Sequence, residues 1–291
     1  MRLLIYGAGV IGCWYAVLFS KAGYDTTIYA RGKRLELIQK EGLRYEVKGK
    51  IQKADVKIIE RLEIADSYDF IFLTVKENQV RTALEELSHN NSPNIVTMVN
   101  TIEGYENWEQ LSGKGRIIPA YPGAGGSFQD GILKAALTPY IIQPTTFAEI
   151  NGCHTERLDK LSRIFKTSKV PYQIVKNMQD WQLCHLAMVV PIADAYYMAK
   201  NPQMVWKEAD VMKKTAAQMK NDFQTLHRSG ITLSPRKMNM FRLLPVWMLK
   251  IGLTLVFKSD FGDVFMYQHS MNAPDEMRTL HEQFYGYLSD K

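Results

Sequence analysis

Cysteine is scarce in this chain. There are three in 291 residues, Cys13, Cys153 and Cys184, far apart and odd in number, which argues against a disulfide framework or a metal cluster and suits a reducing compartment. No run of five Lys or Arg occurs, and no module of alternating basic and aromatic residues is present. The formal net charge of +6 therefore does not mark a nucleic-acid binder; it suits a protein that takes an anionic cofactor and an anionic substrate. Long apolar runs are also missing. The longest, Leu243 to Phe257, contains Pro245 and Lys250 and falls short of the roughly 20 residues that a membrane span requires. The apolar residues after Met1 run at once into a glycine turn, with no basic region or cleavage site. No secretory leader and no membrane association are expected, and the cytoplasm is the expected location.

What the chain does contain is ordinary globular composition, 46% hydrophobic and 23% charged, at a length that favours two domains. Residues Arg2 to Tyr6 form a short β run that enters Gly7-Ala8-Gly9-Val10-Ile11-Gly12. A helical pattern follows, with Ile11, Tyr15, Leu18 and Phe19 spaced for one face, ending near Gly23. Asp25 to Ala30 is then a β-branched second strand. Strand, glycine turn, helix and strand in this order are the context in which such a turn binds a dinucleotide. Gly7 permits the tight turn, and Gly9 lets backbone amides approach a pyrophosphate. Gly12 lets the helix pack close to the strand, while the helix N-terminus supplies partial positive charge.

The end of the second strand decides the nucleotide. A site for NAD usually places Asp or Glu there to accept from the ribose 2′-hydroxyl. Here the strand ends Tyr29-Ala30-Arg31-Gly32-Lys33-Arg34, with no carboxylate and with cations where a 2′-phosphate would lie. Arg31 is the best placed, because a guanidinium can hold a phosphate with a planar fork and stack on adenine. NADP(H) is the expected cofactor.

The α/β alternation continues through the apolar strand Asp69–Val75, a helix from Val80 to Leu87 and a strand from Asn94 to Val99. Ligands bind beyond the carboxyl ends of such strands, which places Lys76 and Asn100 at a site. Tyr121 to Ser127 reads as a loop whose glycines either admit a ribose or serve an awkward turn. Strands are predicted around Leu133–Ala136 and Tyr140–Gln143, then a helix from Glu156 to Phe165 and a strand from Tyr172 to Val175. From Asp180 the strand pattern stops. Helices are predicted over Trp181–Ala199, Trp206–His227, Pro245–Phe257, Phe261–Asn272 and Pro274–Leu288. The expected architecture is a Rossmann-type doubly wound sheet over residues 1–176, followed by an all-α domain over 177–291 for substrate binding or dimerisation. Its many apolar faces suggest a homodimer.

The turn GAGVIG, the strand-end Arg31, Thr74-Val75-Lys76, Asn100 and the helical second half together resemble the ketopantoate reductase (2-dehydropantoate 2-reductase) family, which makes pantoate with NADPH, a step of pantothenate biosynthesis. The resemblance implies that Lys76 and Asn100 line the nicotinamide end of the site and that Ala124 touches cofactor. It implies a small carbonyl substrate, a 2-oxo acid or related ketone. In that family the first helix of the second domain carries a Lys proton donor and two substrate-holding Asn residues before a Pro. The corresponding stretch here, Trp181 to Pro191, places Gln182 or Leu183, Leu186 or Ala187, and Val190 or Pro191 at those positions. His185 on that helix is a candidate donor, with His269 as second choice, while Asp275 and Glu276 open the last helix. Three chemical readings stay open: His185 donates the proton, Lys76 polarises the carbonyl, or the chain binds NADP(H) without reduction as a sensor or inactive paralogue. Trp206, Phe241, Trp247 and Phe257 hint at a larger or less polar substrate.

Overall fold

Leu3, Leu4 and Ile5 have no exposed surface, because strand β1 (Arg2–Tyr6) lies inside a sheet covered on both faces. In this computed structural model, which describes residues 1–291 except the side chains of Val264 and His269, the chain divides into two units, Met1–Met178 and Gln179–Lys291. His269 as a donor candidate thus lies outside the described residues.

In the first unit, α1 (Val10–Lys21) connects β1 to β2 (Asp25–Tyr29), and α2 (Gly32–Glu41) leads to a short antiparallel pair, β3 (Arg44–Val47) and β4 (Lys50–Lys53). After β5 (Lys57–Ile59) come β6 (Phe70–Leu73), α3 (Val80–Ser88), β7 (Ile95–Met98) and α4 (Tyr105–Ser112). The unit continues with β8 (Ile117–Tyr121), β9 (Ala124–Gln129), β10 (Ile132–Leu137), β11 (Thr145–Phe147), α5 (Glu156–Thr167) and β12 (Tyr172–Ile174). The main sheet has the order β12-β11-β8-β7-β6-β1-β2-β5. Its strands run parallel except that β11, with β12 beside it, is antiparallel to β8. Strand order reverses at β1, whose neighbours are β2 and β6. The carboxyl ends of β1 and β6 therefore meet at the switch point where open α/β sheets hold ligands.

A second sheet, β4-β3-β10-β9, covers α1 from the other side. The expected one-faced helix is consequently buried almost all round: Cys13, Trp14, Tyr15, Ala16, Val17 and Phe19 all belong to the core. Tyr15 is pinned there, its hydroxyl 2.5 Å from Thr145 Oγ1 and accepting from the Gly123 amide at 3.1 Å. Each large apolar side chain buried in this way contributes about 1.5–3 kcal/mol.

Two sequence expectations change here. Ala124 to Gln129 is a strand, not a loop, because β9 pairs along its whole length with β10. Tyr140 to Gln143 is a turn, with Ile142 and Gln143 both donating to the Pro139 carbonyl; Ile141 is 79% exposed, so its apolar character does not signal a strand.

The second unit contains α6 (Met178–Met198), α7 (Ala209–Arg228), the short α8 (Asn239–Leu243), α9 (Val246–Lys258), α10 (Gln268–Asn272) and α11 (Pro274–Ser289). The helix expected from Trp206 begins at Ala209, since Pro202–Lys207 is a separate 3-10 segment. The segment ahead of α10, Gly262–Tyr267, is a π-helix. The core of this unit packs Tyr196, Met212, Ala216, Met219, Leu249, Leu253 and Phe257 together. No helix among the described residues is long and apolar enough to cross a membrane.

Candidate dinucleotide site

The glycine turn divides into two glycines that the fold needs and one that it does not. A Cβ on Gly7, whose φ is +120°, would approach the Thr74 carbonyl oxygen to 2.9 Å. A Cβ on Gly12 would collide with the Gly7 carbonyl and the Thr74 hydroxyl, and would come within 2.9 Å of Ile5 Cγ2. A Cβ on Gly9 would meet nothing within 4 Å. That open space lies at the head of α1, where Gly9 is the N-cap in extended conformation and no side chain caps the helix. The leading amides of Val10 and Ile11 therefore lack an intrahelical acceptor, and Ala8 beside them is half-buried. Room over Gly9 and amides at a helix N-terminus fit a pyrophosphate.

Lys76 and Asn100 follow β6 and β7, at the same sheet edge as the turn. Lys76 is exposed and caps the 3-10 turn Glu77–Gln79 through its backbone. Among the described residues its ammonium has neither ion pair nor hydrogen bond. Asn100 is buried, and its Oδ1 has no hydrogen-bond partner among the described residues. Leaving such an acceptor unmet costs about 1–3 kcal/mol, so Asn100 fits a ligand that brings a donor. Ala124 opens β9, half-buried, opposite Leu137. The nearby glycines serve packing: a Cβ on Gly123 would press on Thr145 N and Gln143 O, and one on Gly126 on the Lys134 carbonyl.

Arg31 stands just beyond β2, with its side chain 60% exposed. Its Nε donates to the Tyr29 hydroxyl at 2.5 Å, its Nη2 donates to the Glu86 carboxylate, and the guanidinium lies 4.8 Å from the Tyr29 ring centre. The Tyr6 hydroxyl donates to Glu86 Oε2 at 2.5 Å and the Tyr29 hydroxyl to Oε1 at 2.7 Å. The two tyrosine rings stack with centres 4.4 Å apart. Burial pushes the Glu86 carboxyl upward, but the two hydroxyls and Arg31 outweigh it and hold it below the usual carboxylate value. This corrects the expectation that no carboxylate is available at the end of the second strand. Glu86 comes from α3, 55 residues away in sequence, and its only local signal is an unremarkable position on a helix face. Of the other cations, Arg34 lies 3.6 Å from the Phe128 ring centre, committed to packing, and Lys33 is exposed.

On α6 the positions Gln182, Leu183, Leu186, Ala187 and Val190 are all buried. His185 is 4% exposed, its ring parallel to that of Trp181 at 5.2 Å, one helical turn away. Of the aromatic residues that hinted at a larger or less polar substrate, Trp206, Phe241 and Phe257 pack in or against one core cluster. Phe257 is core, Phe241 stacks on Phe223, Trp206 packs partly buried beside two lysines, and Trp247 is 63% exposed. Sequence reading missed a cavity of about 890 Å³ within the helical unit, between α6, α7 and α11. Asp194, Lys214, Gln218, Asn221, His281 and Tyr285 line it. There His281 Nδ1 lies 3.0 Å from both oxygens of Asp194. Beside it burial pushes the Asp222 carboxyl up to about 7, although Gln218 and Tyr285 donate to it. No grouping of His, Cys, Asp and Glu among the described residues could hold a metal ion.

Comparison with known proteins places this geometry in context. Residues 3–141 match the family described as ketopantoate reductase PanE/ApbA. A 2-dehydropantoate 2-reductase of Mesorhizobium japonicum is 33% identical over 105 residues, covering 35% of this chain and 32% of that protein. The match thus spans about a third of the curated relative's length. Over the whole chain the likeness is one of fold. The crystal structure of a 2-dehydropantoate 2-reductase from Geobacter metallireducens superposes with a TM-score of 0.71 at 16% identity, covering 97% of this chain and 99% of that one. A D-mandelate dehydrogenase solved with NADH and anilino(oxo)acetate gives 0.64 at 14%, covering 100% and 99%.

Proposed function

The chain carries a domain of the ketopantoate reductase PanE/ApbA family over residues 3–141, and on that premise we propose that it is an NADPH-dependent reductase of a small 2-oxo acid or related ketone. The observation that carries the reading is the open space over Gly9 at the head of α1, on the sheet edge that also holds Arg31, Lys76 and Asn100. Gly7, Ala8, Gly9, Val10, Ile11 and Gly12 would cradle the pyrophosphate. Arg31 would hold the 2′-phosphate, and Asn100 and Ala124 would line the nicotinamide end. NADPH supplies a hydride to a carbonyl carbon when bound. The chain must then stabilise charge on the carbonyl oxygen and deliver a proton to it, a service worth about 10²- to 10⁴-fold in rate. Lys76 has an uncommitted ammonium for the first task, and His185 is the candidate for the second.

A second reading has its own observation. None of the family's Lys and Asn positions on α6 is matched, and His185 is enclosed against Trp181. A chain that binds NADP(H) without reducing anything would look like this too. Titration with NADPH and NADH, followed by a panel of 2-oxo acids and ketones monitored by loss of NADPH absorbance, separates the two. Turnover is expected. Tight NADPH binding with no turnover on any substrate supports the second reading, and failure of both nucleotides to bind at micromolar concentration removes both.

A further inference from the structure

Arg31 already has an anion. Its Nε and Nη2, the two donors on one edge of the guanidinium, are engaged by the Tyr29 hydroxyl and the Glu86 carboxylate. A phosphate gripped bidentately on that edge would have to displace both. A phosphate bound on the other edge would share one cation with Glu86, and two anions on a single guanidinium repel each other. Glu86 can release Arg31 without being stranded, because the Tyr6 and Tyr29 hydroxyls still donate to its two oxygens. The Arg31–Glu86 pair is itself substantially exposed, at 60% and 32%, so exchanging it costs little.

We propose that Glu86 is a specificity-determining residue that competes with the nucleotide 2′-phosphate for Arg31, and so narrows the preference for NADPH over NADH. The inference rests on the NADP(H) assignment above. It gives Arg31 two partners in alternation, the carboxylate of α3 in the nucleotide-free protein and the phosphate in the complex. Tyr6 and Tyr29 keep Glu86 satisfied in both. NADH, which has a hydroxyl in place of the phosphate, leaves the Arg31–Glu86 pair intact.

The test is the dissociation constant of NADPH and of NADH, by fluorescence quenching or calorimetry, for the unaltered protein, Glu86→Gln, Glu86→Ala, Arg31→Ala and the double variant Arg31→Ala/Glu86→Gln. Both Glu86 variants are expected to bind NADPH about fivefold more tightly, the upper scale of an exposed ion pair. NADH is expected to stay within about twofold of its original value on the same scale. In the Arg31→Ala background the gain from Glu86→Gln should disappear. Weaker or unchanged NADPH binding in both Glu86 variants overturns the proposal; weaker binding would make Glu86 an orienting partner of Arg31 instead. An equal gain with Arg31 absent also overturns it, since the effect would not pass through Arg31. Arg31→Ala alone reads the underlying assignment. If it leaves the ratio of the NADPH to the NADH dissociation constant unmoved, the NADP(H) reading fails and the proposal with it; if it raises that ratio while Glu86→Gln changes nothing, only the proposal fails.

Discussion

The Thr74 hydroxyl donates a 2.9 Å hydrogen bond to the carbonyl oxygen of Gly7, tying the end of β6 to the glycine turn. The Thr74 amide adds a second tie, donating to the Tyr6 carbonyl at 2.9 Å. The turn that opens the candidate site is therefore shaped by a strand that joins it from 67 residues further along the chain.

Thr74→Val keeps the shape of the side chain and removes the donor. The Gly7 carbonyl would lose that partner, so a loss of about 1 kcal/mol in stability is expected, together with nucleotide binding weakened a few-fold. Thermal unfolding and NADPH titration check the two effects. Unchanged affinity would show that the hydroxyl braces the fold without shaping the site.

Gly9→Ala and Gly12→Ala should behave oppositely. At Gly9 the new Cβ meets nothing within 4 Å, so stability should hold while nucleotide binding is lost. At Gly12 it runs into the Gly7 carbonyl, the Thr74 hydroxyl and Ile5, and overpacking of this kind costs about 1–3 kcal/mol or more. Melting curves beside binding isotherms distinguish them. A Gly9→Ala protein that melts early would contradict the open cradle.

Lys76→Ala and His185→Gln separate the two chemical roles. Loss of a general acid lowers turnover by about 10²- to 10⁴-fold, and a buried ring stacked on Trp181 contributes nothing of the kind unless it donates. Turnover in His185→Gln equal to that of the unaltered protein excludes His185 as donor, and equal turnover in Lys76→Ala excludes charge from Lys76 at the carbonyl. Binding of NADPH, measured in parallel, shows whether a slow variant has lost its cofactor instead.

Asp222 makes the helical unit sensitive to pH. Burial raises its carboxyl from 3.8 to about 7, so the folded chain holds a proton there that the unfolded chain has released. Stability from this group is full below about pH 4 and falls as pH rises towards about 7, beyond which the charged carboxylate stays buried. Asp222→Asn should accordingly raise the melting temperature at pH 8 and have little effect at pH 4. Gln218 can still donate to the amide oxygen, the amide nitrogen can donate to the Tyr285 hydroxyl, and the Asp194–His281 pair is left in place. Melting temperatures that shift equally at both pH values would rule out this titration.

Several parts of the fold are legible because their causes are local. The β run, the glycine spacing and the helix after it lie within Arg2 to Lys21, and the positive φ of Gly7 and the closeness of Gly12 to the Gly7 carbonyl act over that short stretch. The strands Phe70–Leu73 and Ile95–Met98 announce themselves as continuous apolar runs because both of their faces are buried. The second sheet is legible only at β10, where the strand predicted around Leu133–Ala136 is found. Lys50–Lys53 is fully exposed and β9 is rich in glycine, so neither carries the alternation that marks a half-buried strand. Its partners are joined only when β3 meets β10.

By itself, the sequence determined the glycine turn, the parallel strands that carry it and the placing of Arg31, Lys76 and Asn100 just past strand ends. Each of these follows from short-range sterics or from burial read along a single strand. Only the tertiary structure decided what surrounds those residues: Glu86 and two tyrosine hydroxyls around Arg31, Thr74 beneath Gly7, an unmet acceptor on Asn100 and an enclosed ring at His185. Charge and hydrogen bonding act through space. A carboxylate 55 residues away in the chain therefore alters a guanidinium as strongly as a neighbour would, and the sequence carries no local trace of the meeting.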